Sequence, residues 1–282
     1  MANPISDPMV EVPDSDIRED LAVVEATPDG VVTVTMNRPA KKNAFNAELI
    51  GALREVFETL RNQDGIRVVF LRGAGGSFSA GADLEWMRAA VEHTEADNRD
   101  DAHQMALMLK HLHDIPALTV ALVEGGGFGG GAGLVAACDL AVSVADARFT
   151  FSEVRLGLVA ATISPYVVAA IGPRAARGLF ATGRIFDAAH AEKVGLVTEV
   201  VADLAGLEAA RDRIGREIMA CAPGAVADSK RLVEDVAFKT IDHGLMEDTA
   251  KRIARARVSE EGQEGVRAFL EHREPVWAPG AD

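Results

Sequence analysis

Twice in this chain an apolar, strand-like run gives way to a stretch of glycines and then to a helical pattern. Two such junctions commit the chain to alternating strands and helices. The first, Arg72-Gly73-Ala74-Gly75-Gly76-Ser77-Phe78-Ser79-Ala80-Gly81-Ala82-Asp83, lies between Val68-Val69-Phe70-Leu71 and Leu84-Glu85-Trp86-Met87. The second, Glu124-Gly125-Gly126-Gly127-Phe128-Gly129-Gly130-Gly131-Ala132-Gly133, follows Leu118-Thr119-Val120-Ala121-Leu122-Val123 and precedes Leu134-Val135-Ala136-Ala137. Glycine at that density lets backbone approach a ligand closely, and the first amides of the following helix have no intrahelical acceptor. Such amides suit negative charge. If the two loops face each other, one N–H from each would hold a single oxygen as it becomes an oxyanion. A dinucleotide fingerprint is the rival reading, because Gly125-Gly126-Gly127-Phe128-Gly129-Gly130 satisfies G-x-G-x-x-G. That motif belongs on the first strand of a βαβ unit with an acid ending the next strand. Here the loop is mid-chain and Asp146 lies past the next apolar run.

A chain of 282 residues can bury a sizeable core as one or two domains. Its 43 acidic against 29 basic residues give a formal charge of −14 with no dense Lys/Arg block, so neither a nucleic-acid nor a membrane partner is expected. A polyanionic ligand would need a local basic pocket, for which Arg38, Lys41 and Lys42 are the candidates. Cys138 and Cys221 stand far apart without CxxC spacing, so no disulfide or metal site is expected, and a reducing, cytoplasmic setting fits. Residues 1–18 are acidic and proline-bearing without an apolar signal core, and are expected to be a flexible, untargeted segment.

Leu21–Glu25 and Val31–Met36, separated by Thr27-Pro28-Asp29-Gly30, predict an opening hairpin. Asn46 is placed to cap a helix whose apolar positions run from Leu49 to Leu60. A strand over 67–71, a helix over 83–91, a solvated polar decapeptide over 92–101 and a helix over 102–113 follow. Beyond the second loop come short strands over 140–144 and 148–151, helices over 164–171, 174–181 and 188–194, and a strand over 198–201. From Leu204 to Arg273 the periodicity is helical, broken at Pro223-Gly224, Asp242-His243-Gly244 and Ser259, which suggests an internal boundary near residue 200.

Further motifs accompany the loops: Met36-Asn37-Arg38-Pro39 with Asn43-Ala44-Phe45-Asn46, Cys138-Asp139-Leu140, Ser152-Glu153-Val154-Arg155-Leu156-Gly157, and Gly183 through Gly195-Leu196-Val197. With Ser77–Leu84 and Gly129-Gly130-Gly131 they resemble the signature of the crotonase (enoyl-CoA hydratase/isomerase) superfamily across most of the chain. The resemblance implies an α/β fold: a crotonase-type spiral of ββα units over 19–200 and an all-helical C-terminal region over 201–282 that builds a homotrimer or a dimer of trimers. It implies the amides of Ala80 and Gly130 as the oxyanion hole, and Lys41, Lys42, Ala44, Ala80, Ala82 and Asp83 as coenzyme A contacts. The partner is then an acyl-CoA substrate, with no separate cofactor. Trp86 and Met87, just past the first loop, would wall an acyl pocket or sit in the core.

Glu153 is the candidate acid, set in Phe151-Ser152-Glu153-Val154 within an otherwise apolar and small-residue stretch, where burial would raise its pKa and let it exchange a proton near neutral pH. A structural carboxylate paired with Arg155 is the bland alternative. Gly133 stands where hydratases of the superfamily carry a second glutamate, which favours a one-acid proton shuttle and hence an isomerase. Against that, Gly81–Met87, Ala132–Asp139 and Ser152–Leu158 with Ala161–Val168 resemble a bacterial branch that hydrates 3-methylglutaconyl-CoA and related thioesters, as in leucine degradation. The reading is therefore hydration of a 2-enoyl-CoA, branched or carboxylated, with an enoyl-CoA isomerase and a silent acyl-CoA-binding subunit as alternatives. Asp83 is expected to cap its helix as well, and Asp139 to be structural. Glu124 reads as a rim residue, and His111 and His113, two apart on a helix, as a poor metal pair.

Overall fold

The computed structural model describes residues 21–279, so the expectation for residues 1–18 lies outside the described residues. The chain divides into two compact units, one of residues up to Ile115 with Thr119–Asp212, the other of Pro116–Leu118 with Arg213 onward.

The first unit opens with the expected hairpin, β1 (Ala22–Ala26) antiparallel to β2 (Val31–Met36), closed by Thr27 and Gly30. Then come α1 (Ala47–Asn62), β3 (Val68–Gly73), α2 (Leu84–Glu92), α3 (Glu95–His113), β4 (Leu118–Val123), β5 (Gly126–Phe128) and α4 (Gly130–Ala137). Next are β6 (Leu140–Val144), β7 (Arg148–Thr150), a 3₁₀ turn (Glu153–Leu156), α5 (Ser164–Thr182), β8 (Phe186–Asp187), α6 (Ala188–Val194) and β9 (Glu199–Val201). One sheet runs β1-β2-β3-β4-β6-β9 and a second, of three strands, runs β5-β7-β8. Apart from the β1 hairpin, the pairings β2–β3, β4–β6 and β6–β9 are parallel, as helical crossovers require.

The core follows the apolar periodicity. α1 buries Leu49, Leu53, Val56, Phe57 and Leu60, and its Asn46 side chain accepts from the Leu49 amide at 3.0 Å. β3 and β4 are enclosed on both faces where they are apolar, from Val68 to Leu71 and from Val120 to Val123. The small sheet packs its own cluster, with the Phe149 and Phe186 rings stacked and Phe151 edge-on to Phe180.

Three elements differ from expectation. Residues 95–101 are helical, because Thr94 and Asp97 form a reciprocal capping box that starts α3 seven residues early, in a stretch expected to be solvated coil. β5 is made of the second loop's own residues, a strand that a glycine run hides. The helices expected over 164–171 and 174–181 join as α5 with a break at Gly172.

α7 (Leu204–Met219) begins where the helical tail was expected, yet the division falls at Asp212 rather than near 200. Its first half is held to the first unit: Arg211 lies 5.3 Å from the Phe70 ring centroid, and Glu208 accepts from Arg72 at 2.8 Å. The second unit holds α8 (Pro223–Val236), α9 (His243–Val258) and α10 (Glu260–Glu271). There the Glu261 carboxylate accepts from the amides of Gly224 and Ala225 at 2.9 and 3.0 Å, capping α8 in place of its own N-terminal residue. Lys230 donates to the Ala117 carbonyl at 2.7 Å, which explains why residues 116–118 belong to this unit.

Candidate active site

The two glycine loops are stitched backbone to backbone. Phe78 donates to Glu124 O at 2.8 Å, Ser79 to Gly126 O at 3.1 Å, and Phe128 returns a bond to Ser79 O at 3.0 Å. Glycine is required at the seam: at Gly81, φ is +86° and an added Cβ would stand 2.8 Å from Phe128 O. A third segment joins them, since Phe45 donates to Gly81 O at 2.7 Å and accepts from the Asp83 amide at 2.8 Å.

This third contact decides which amides of the first loop remain for a ligand. The Ala80 N–H donates to Lys42 O at 2.9 Å and is spent inside the protein. Ala80 is therefore corrected as an oxyanion donor. The trans peptide between Gly81 and Ala82 aims its carbonyl at Phe45, so the Ala82 N–H points the opposite way. It meets no acceptor among the described residues. From the second loop, Gly129 donates to Thr150 O, while Gly130, first residue of α4, has no intrahelical acceptor and none elsewhere among the described residues. The pair of unspent amides is Ala82 and Gly130, two residues along from the pair expected on the first side and unchanged on the second.

The 3₁₀ turn after β7 delivers Glu153 to the same place. Its Oε1 lies 3.2 Å from where a Gly129 Cβ would be, and its buried Oε2 has no hydrogen-bond partner. Desolvation raises the Glu153 pKa above the ordinary glutamate value, and only a local backbone bond opposes it. No pairing with Arg155 is present; that side chain packs over Gly183. At Gly133, one turn along α4, an added Cβ would stand 2.2 Å from Ile163 Cγ2, so Glu153 has no second carboxylate beside it at this position.

The remaining candidates separate into held and available groups. Asp83 accepts from the Glu85 amide at 2.8 Å and from Arg38 at 3.0 Å, with its carboxylate almost fully enclosed. The backbone bond and the Arg38 guanidinium hold its pKa below the usual range despite burial. Asp83 is thus a cap and an anchor, its carboxylate engaged inside the protein. Arg38 is likewise occupied, donating to Asp83 and to the Ala44 carbonyl, and is not free for phosphate. Ala44 is buried, with its N–H on Lys41 O and its carbonyl accepting from Arg38. Lys41 and Lys42 are exposed, and Trp86 and Met87 are half-buried on a helix that contributes nothing to the core. Glu124, expected at the rim, is bridged to Arg72 at 3.4 Å, and Asp139 holds the amide and hydroxyl of Thr119, as expected of a structural acid.

Two residues that matter here were not singled out from sequence. Asn43, wholly buried at φ 53°, accepts from the Arg38 amide and donates to the carbonyls of Ala74 and Ser77 at 2.9 and 2.6 Å, fixing the first loop. Asparagine is the residue type that tolerates a left-handed position, but nothing local says that one is required. Ile163 is the other, and no local signal marks a side chain that works by filling space above a distant glycine.

The family model described as enoyl-CoA hydratase/isomerase matches residues 26–280. A solved enoyl-CoA hydratase from Shewanella pealeana is 36% identical, with TM-score 0.88 over 92% of this chain and 97% of that one. A Legionella pneumophila structure assigned to the crotonase group is 44% identical, with TM-score 0.86 over 92% and 99% of the two chains. A carnitinyl-CoA dehydratase of Citrobacter koseri is 31% identical over 88% of this chain and 94% of its own length.

Proposed function

The chain belongs to the enoyl-CoA hydratase/isomerase family, and from that premise we propose that it hydrates a 2-enoyl-CoA using one carboxylate, Glu153. The thioester oxygen sits between the N–H groups of Ala82 and Gly130. Ionised Glu153 takes a proton from water as the water oxygen bonds to the β-carbon. The double-bond electrons move onto the thioester oxygen, where the two amides stabilise the enolate. The enolate then collapses and its α-carbon takes the proton back from Glu153. Water is added across the double bond on one face, and the carboxylate is regenerated. The observation that carries this reading is a buried carboxylate oxygen without a partner, on a side chain packed beside the loop that offers the Gly130 amide.

Lys41 and Lys42, exposed beside the first loop, are the phosphate partners of coenzyme A in this reading, and Trp86 and Met87 wall the acyl group. The substrate is a branched or carboxylated enoyl thioester, 3-methylglutaconyl-CoA foremost, on the strength of the segments around Gly81 and Glu153. Self-association as a homotrimer or dimer of trimers is supported by large apolar side chains left exposed in the second unit, among them Phe238, Ile241, Phe269 and Leu270. Cys138 and Cys221, far apart in sequence and without CxxC spacing, suit a reducing cytoplasm.

A second reading, double-bond isomerisation, is favoured by Gly133 and the Ile163 side chain above it, since moving a proton from the α- to the γ-carbon needs one acid only. Incubation with 2-enoyl-CoA, 3-enoyl-CoA and 3-methylglutaconyl-CoA in ¹⁸O-water separates the readings by mass. Hydration places ¹⁸O in the product, and isomerisation moves the double bond without it. Turnover of none of the three would sink both and leave a silent acyl-CoA-binding subunit.

A further inference from the structure

Phe45 reaches both glycine loops from one place in the chain. It lies between two anchored asparagines: Asn43, held at φ 53° by its bonds to the carbonyls of Ala74 and Ser77, and Asn46, which caps α1. Its backbone pairs with Ala82 as an isolated parallel bridge, the Phe45 N–H donating to Gly81 O at 2.7 Å and the Phe45 carbonyl accepting from the Asp83 amide at 2.8 Å. In such a bridge the bonds run to the residues on either side of Ala82, so the N–H of Ala82 itself faces away from Phe45. The side chain extends to the second loop. Ring atoms Cδ2 and Cε2 each stand 3.2 Å from where a Gly130 Cβ would be, and Met105 Cε stands 2.7 Å from the same point. Gly130 opens α4 without a left-handed backbone, so glycine serves there to make room, and the ring takes up that room. Phe45 is 1% exposed and Met105 8%; in a close-packed interior such a contact fixes position, because neither side shifts without opening a void.

We propose that Phe45 is a positioning residue for the oxyanion site: its backbone aims the Ala82 amide, its ring seats the Gly130 amide, and so it sets the separation of the two donors. This rests on those amides holding the thioester oxygen. Phe45 acts through the donors and not on the substrate. Two N–H groups grip one oxygen only at a fixed separation, and a misplaced donor loses most of its worth where charge develops. The seam through Ser79 and Gly126 ties the loops backbone to backbone. The Phe45 ring adds a spacer whose size is a matter of side-chain volume, and a substitution can change it.

The test changes the ring and leaves the backbone bridge in place. F45V removes both ring atoms that meet Gly130, F45L keeps carbons at the δ position, and F57V, which makes the same change at a fully buried ring of α1, controls for lost core volume. Each protein is mixed with a saturated, unreactive acyl-CoA carrying ¹³C at the thioester carbonyl, and the carbonyl resonance is followed by NMR. Hydrogen bonding to the oxygen moves that resonance downfield. Native protein and F57V are expected to give the full shift, F45V a small one, and F45L a value between. Turnover should follow, with kcat of F45V about 10²-fold lower, the scale of losing one donor, and its KM little changed. An F45V shift equal to native, or an F57V loss of kcat as large as that of F45V, would overturn the proposal. Should F45V not fold, F45L decides: a shift below native supports the spacer, and one equal to native overturns it. If the native protein itself leaves the carbonyl resonance unmoved, the oxyanion reading has failed, whereas a native shift that the Phe45 variants retain removes only the role of Phe45.

Discussion

Replacing Asp83 by alanine removes two interactions of different strength from one buried carboxylate. Oδ1 caps α2 by accepting from the Glu85 amide at 2.8 Å, and Oδ2 pairs with Arg38 at 3.0 Å, with side chains 4% and 15% exposed. Loss of an Asp cap costs about 1 kcal/mol. Stranding one partner of a buried ion pair costs about 3–5 kcal/mol, and Arg38 retains some solvent and its bond to Ala44, so the lower end applies. D83A is therefore expected to lose about 4 kcal/mol, and D83N, which keeps an oxygen for the cap, about 3 kcal/mol. At about 2–4 °C per kcal/mol for a unit of this size, D83A should melt roughly 8–16 °C lower by calorimetry. Because the folded-state pKa of Asp83 is depressed, its contribution is present above the ordinary carboxylate pKa and is lost as pH falls through the lowered value. The gap between native and D83A should accordingly narrow in acid and hold at neutral pH. Activity should fall too, since the Asp83–Arg38 pair ties the residue after Ala82 to the segment from Arg38 to Ala44. A D83A protein within 1 kcal/mol of native at pH 7 would refute the reasoning.

E153Q is expected to lower kcat about 10²–10⁴-fold while leaving the fold intact by circular dichroism. The raised folded-state pKa of Glu153 places the acid limb of native kcat/KM above the ordinary glutamate value, because both readings need the ionised form. The same shift means that folding disfavours the charged side chain: native stability falls as pH rises from the ordinary value through the raised one. E153Q should then be the more stable protein at neutral pH, an advantage that disappears in acid and is measured by denaturant titration at several pH values. G126A, at φ +147° with its Cβ 2.0 Å from Arg148 O, should prise β5 from β7 and yield little soluble protein on expression. T94A, which breaks the capping box of α3, should cost about 1 kcal/mol and leave turnover unchanged.

The local grammar of the chain determined most of its elements. Alternating and helical periodicities, Asn46 before an apolar helix and the Pro-Gly breaks of the tail are short-range signals, and strands and helices obey them. The early start of α3 was also written locally, in Thr94 and Asp97, although the charged composition around them reads as coil. Glu153, the Gly130 amide and the departure at Gly133 were legible because each is a residue type standing in a recognisable motif.

Tertiary structure alone decided which backbone groups were left over. Ala80 and Ala82 are chemically alike and two residues apart, and only the partner strand from Lys42 to Phe45 consumes one N–H and spares the other. The same holds for Asp83 and Arg38, whose pairing across 45 residues no local pattern announces, and for Ile163, whose effect exists only at its contact with Gly133. A sequence states which donors and volumes a chain possesses; hydrogen bonds and packing between distant segments determine which remain unspent, because every buried polar group and every void must be matched before a substrate arrives.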